Sequence, residues 1–155
     1  PGPDELDLFE PAAVAEAVYE LDPRHPGALH YLVHAYDDPV HAPLGLRAAR
    51  RYGKVAPAAA HAQHMPSHIF FALGMWDDAI EANIASLATA RSQGQGGYHA
   101  LEWLTYAYLQ QGMREDAATR VNARAVYCRA LVRCRQNEAG AFAATSTRDH
   151  ESSPA

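Results

Sequence analysis

The chain has 155 residues, 48% of them apolar and 20% charged, with a formal net charge of −5. That is enough chain for one domain with a modest core. Its two basic stretches, 46–54 and 129–135, spread their arginines around polar helix positions. A phosphate backbone needs a concentrated basic face, so nucleic acid is not an expected partner. No segment reaches the apolar length of a bilayer span, so a membrane is not expected either and the chain reads as soluble.

Alanine is abundant, Val and Ile are sparse, and no stretch alternates polar and apolar residues over a strand's length. The expected fold class is therefore all-α. Cys128 and Cys134 lie six apart on one expected helix and point in different directions, which disfavours a disulfide. Two unbridged thiols favour a cytoplasmic setting, with the compartment otherwise open.

In chain order, residues 1–9 read as an N-terminal extension that opens without a Met, so the sequence is expected to be part of a longer array. Residues 10–21, "EPAAVAEAVYEL", read as the closing helix of an earlier unit. A helical domain over 10–136 then divides into units at about 26–59, 60–93 and 98–131. In the first unit, Asp37, Asp38 and Pro39 break the chain before a second helix, "APLGLRAARRYGKVA".

In the second unit one helix is expected from His61 to Leu73, ended by Gly74 in a left-handed conformation. A partner helix runs from Asp77, whose carboxylate suits an N-terminus, to Arg91. The insertion "GQGG" (94–97) precedes a third unit made of "HALEWLTYAYLQQG" and a longer helix through residue 135. The polar tail, 137–155, is expected to be disordered.

A shift of 34 residues superposes His30 on His64, His34 on His68 and Pro23 on Pro57. Self-similarity at that interval marks a helical repeat array. The stretches "LGMWDDAI" (73–80), "YAYLQQGMREDAA" (106–118), "ELDP" (20–23) and "KVAP" (54–57) resemble the tetratricopeptide repeat (TPR) family. The strings "HPGALHYLVHAYD" and "HMPSHIF" also resemble a histidine-rich, poorly characterised group of bacterial repeat proteins.

The resemblance implies a right-handed α-solenoid of antiparallel helix pairs with a concave groove. It also implies which places face that groove: Gly27, His30 and His34, then His61, His64 and His68, then His99, Glu102 and Tyr106.

Spacing makes an independent argument. Residues three or four apart share a helix face, and packed helices lie about 8–10 Å apart. His30 and His34 form one pair and His64 and His68 another, so four imidazoles are expected to converge as metal ligands. His61, His99, Glu102, Asp37 and Tyr106 would be further ligands or would hold the ligands' second nitrogens, with Tyr31 and Asp38 also in reach.

Neutral imidazole suits Zn, Cu, Ni and Fe. Tyr31 and Met65 stand where a zincin motif needs Glu, so any general base comes from elsewhere, Glu102 above all or Asp37 or Asp38. Three functions fit: a scaffold with a divalent-metal site, a metal-free module holding a protein or peptide in its groove, and a metal-dependent hydrolase.

Overall fold

The structure is a computed structural model that describes residues 3–119. Seven helices appear there, with no strand among the described residues: α1 (Pro3–Leu21), α2 (Pro26–Ala35), α3 (Ala42–Val55), α4 (Ala60–His64), α5 (Pro66–Ala72), α6 (Trp76–Ser92) and α7 (Tyr98–Gln110). Residues 114–119 are also helical. The all-α expectation holds. Among the described residues no helix is long and apolar enough to cross a membrane. The rest of the expected longer final helix, from residue 120 on, both cysteines and the tail lie outside the described residues.

Two boundaries differ from the sequence reading. The first helix begins at Pro3, so most of the expected extension, 1–9, is helical. Proline at a first helical position costs no hydrogen bond. Pro11 sits inside α1 without breaking it.

The second difference is that the helix expected over His61–Leu73 is divided into α4 and α5. Pro66 has no N–H to give, and the chain takes a tighter step in which His68 N–H bonds Met65 O at 3.1 Å. Met65 itself keeps right-handed dihedrals, φ −52° and ψ −38°, so helical winding continues across the break.

Helices pack mainly on their neighbours in sequence: α1 on α2, α2 on α3, α3 on α5, α5 and α4 on α6, and α6 on α7. One core cluster joins Leu29, Leu32 and Val33 of α2, Ala48 and Tyr52 of α3, and Ile69 and Phe70 of α5. A second joins Leu104 and Tyr108 of α7 to Ala117 and Ile80. Alanines dominate the buried face of α3, which permits close helix approach.

Two helix ends have matching geometry. Gly74, at φ 69°, closes α5 with Met75 N–H bonding Phe70 O at 2.8 Å. Gly112, at φ 73°, closes α7 with Met113 N–H bonding Tyr108 O at 2.8 Å. That left-handed residue and six-to-one bond satisfy carbonyls at the helix end.

Polar ties fix α1 against the next pair of helices. Tyr36 Oη donates to Glu16 Oε1 at 2.8 Å, and Arg47 pairs with the other Glu16 oxygen. Burial and the Glu16 carboxylate push the Tyr36 hydroxyl up to about 12.

Burying Leu29, Leu32 and Val33 leaves His30 and His34 on the opposite side of α2. Leu32, with no exposed surface, is thus a structural rather than a ligating residue. Leu32→Ala is expected to cost about 2–5 kcal/mol of stability in urea denaturation while leaving the histidine face chemically intact.

Candidate functional site

Six histidines gather on one side of the bundle in two groups of three. His30 and His34 of α2 meet His61 of α4; His64 of α4 and His68 of α5 meet His99 of α7. Within each group one ligand nitrogen per residue lies within 4.8 Å of the other two. The sequence reading expected a single quartet of His30, His34, His64 and His68. The structure instead divides that quartet and completes each half with a histidine from another helix.

The pairing interval explains the division. His30 meets His61, and Asp37 meets His68, each 31 residues along rather than 34. His34 and His68, which match by repeat, keep their ring centroids 6.3 Å apart, whereas a residue one turn earlier on the next helix comes within hydrogen-bond distance.

The inner group is His64, His68 and His99. His64 is buried, with 3% of its surface exposed. Its Nδ1–H donates to Asn83 Oδ1 at 2.7 Å. The oxygen faces His64 because Asn83 Nδ2 donates to Ala79 O at 2.8 Å. His68 Nδ1–H donates to Asp37 Oδ2 at 2.7 Å.

Both acceptors require the proton on Nδ1, which leaves a lone pair on each Nε2 when the rings are neutral. Those two Nε2 atoms face each other at 3.2 Å. His99 lies edge-on to His64 with ring centroids 4.5 Å apart. Trp103 closes the side, its ring 4.1 Å from that of His68 and 5.2 Å from that of His64.

The outer group is more open: His30 is half-buried and His34 and His61 are exposed. His61 Nε2 and His30 Nε2 also stand 3.2 Å apart. Tyr31 and Tyr52 stack against the His30 ring at 5.6 and 5.7 Å.

Burial, first of all, holds His64, His30 and His61 below the ordinary imidazole range. It pushes His64 down to about 4; the Asn83 hydrogen bond opposes this, and charge on His68, His99 or His61 adds to it. His30 is lowered by burial and then by His34 and His61. His61 is lowered by burial and then by His34, His68 and His99.

The remaining predicted residues fall elsewhere. Glu102 and Tyr106 are not among the converging groups. They line a recess of about 380 Å³ with Phe71 and Trp103. Tyr106 stacks on Phe71 at 5.6 Å. Asp38 caps its own turn, accepting from Val40 N–H and His41 N–H at 2.8 and 3.0 Å, and pairs with His41 Nδ1 at 2.8 Å. His25 caps α2 by accepting from Ala28 N–H at 3.1 Å.

Sequence reasoning named neither Asn83 nor Trp103 for the site. Asn83 did leave a signal. It is a polar residue on the stripe Ala79, Asn83, Leu87 and Ala90 that α6 buries, and a buried amide needs partners.

No protein-family model and no curated protein matches the chain. The functional reading therefore rests on the site.

Acid should destabilise the metal-free protein. Unfolded His64 titrates near 6.5 and folded His64 near 4, so the unfolded state binds more protons between those values. Stability is expected to fall as pH drops from about 6.5 to about 4 and to level off below that. Urea midpoints of chelator-treated protein across this window check it, and His64→Gln should flatten the slope.

Proposed function

We propose that the chain is a TPR-like repeat scaffold, a right-handed solenoid of antiparallel helix pairs, whose histidine face binds a divalent transition metal ion. The observation that carries this reading is the pair of facing Nε2 atoms of His64 and His68, 3.2 Å apart. Asn83 and Asp37 accept hydrogen bonds from the two Nδ1–H groups, so the Nε2 lone pairs face one another. A cation between them removes the repulsion.

A proton on His68 could serve two nitrogens, but a third nitrogen, from His99, converges on the same place. Three donors favour a metal. Two nitrogens each about 2.0–2.1 Å from a tetrahedral ion stand about 3.3–3.4 Å apart, close to the spacing found. The outer ring nitrogens held by Asn83 and Asp37 supply the support that ligating histidines ordinarily have.

Neutral imidazoles suit Zn, Cu, Ni or Fe, and three of them leave a coordination position open. When bound, such an ion would supply Lewis acidity at that position. The chain's own residues orient the nitrogens and, through Trp103 and burial, exclude water from one side. The hydrolytic alternative draws no support from Glu102, which is not among the converging ligand groups.

Untagged protein freed of metal by chelator and titrated with Co(II) or Zn(II) is the test. At least one tightly held ion is expected, with the visible absorption of tetrahedral Co(II). His64→Ala should lose it, and Asp37→Asn should weaken it about 10–100-fold by releasing the His68 ring. Affinity should also fall as pH drops below about 6.5, because protons compete for the same nitrogens. A folded protein that takes up neither metal overturns the reading and leaves the metal-free peptide-binding module.

A further inference from the structure

We infer that His30, His34 and His61 hold a second, more readily exchanged metal ion beside the first, so that the histidine face is a two-ion centre. This rests on the metal reading of the inner group and adds a site with its own donors. None of the three outer histidines belongs to the inner set, and each outer nitrogen lies within 4.8 Å of the others.

The geometry repeats that of the inner group. His61 Nε2 and His30 Nε2 are 3.2 Å apart, the same separation as the His64 and His68 pair. That is again close to the edge of a tetrahedral zinc site. His34 comes from one turn along α2, its ring centroid 4.7 Å from that of His30. The flanking Tyr31 and Tyr52 rings fix the plane of His30 by stacking. The donors come from two separate helices, α2 and α4, the usual way helix pairs build metal sites.

The two sites differ in how firmly their donors are held. The inner rings of His64 and His68 are anchored through Nδ1 by Asn83 and Asp37. Among the described residues, the rings of His30 and His61 have no hydrogen-bond partner besides each other. His34 and His61 are exposed, so water and chelators reach the outer ion directly.

Pre-organised donors bind more tightly than donors that must first be ordered. Two nearby divalent ions also repel, which weakens whichever binds second. The rings of His34 and His68 approach to 6.3 Å, so the sites adjoin. Asp37, three residues past His34, accepts from His68 Nδ1–H at 2.7 Å.

Zinc titration of chelator-treated, untagged protein, with stoichiometry from calorimetry and elemental analysis, tests this. Two equivalents with distinct affinities are expected. A competing chromophoric chelator should withdraw one ion quickly and the other slowly. His30→Gln and His61→Gln should each abolish the weak equivalent and the fast phase while sparing the tight one. His64→Gln should do the reverse, and far-UV circular dichroism establishes that each variant is folded.

A single ion in the wild type that survives His30→Gln overturns the second site and leaves the first standing. A single ion lost in both His30→Gln and His64→Gln overturns it in favour of one shared six-histidine site. Folded protein that binds no zinc refutes both readings together.

Discussion

Two imidazole nitrogens, each stripped of its proton by a hydrogen bond on the far side of the ring, face each other at 3.2 Å between His64 and His68. This constraint gives the histidine face its meaning. Every element of the fold that matters to the site acts on it. Asn83 reaches it from α6, Asp37 from the turn after α2, and His99 and Trp103 from α7. Asn83 and Asp37 fix the proton of each ring on Nδ1, and His99 and Trp103 close the space around the two facing nitrogens.

The packing makes that arrangement affordable. His64 is buried and held neutral, which opposes folding whenever acid would charge it. The opposition is met by neighbouring contacts. Asn83 is itself secured to Ala79, and Ser86 of the same helix donates to Ala60 O at 2.7 Å, tying α6 to the start of α4. Pro66 matters here too. It interrupts the hydrogen-bond ladder between His64 and His68 while the helical winding continues, so the two rings still share a side with centroids 5.1 Å apart.

The candidate site was only partly legible. The type of ligand could be read from histidines at intervals of three and four, because a helix puts such residues on one face regardless of what surrounds it. Their grouping could not. A repeat of 34 residues invites pairing of equivalent positions, but contacts form between His30 and His61, and between Asp37 and His68, at an interval of 31. Glu102 carried the right chemistry for a base and lies at helical spacing from His99, yet it lines an aromatic recess instead. Asn83 carried a decisive hydrogen bond and was overlooked, since an amide within an alanine-rich helix says little until its partner is known.

The sequence by itself determined the helical class, the main helix positions, the glycine stop at 74, and the residue type that gathers at the candidate site. Each follows from local physics: propensity, 3.6-residue periodicity and the freedom of glycine at positive φ. Only the tertiary structure decided which histidines meet, which nitrogen of His64 and of His68 bears the proton, and how deeply each is buried. Those properties depend on the offset and approach of helices distant in the chain. A shift of one turn between two packed helices changes every partner without altering a residue.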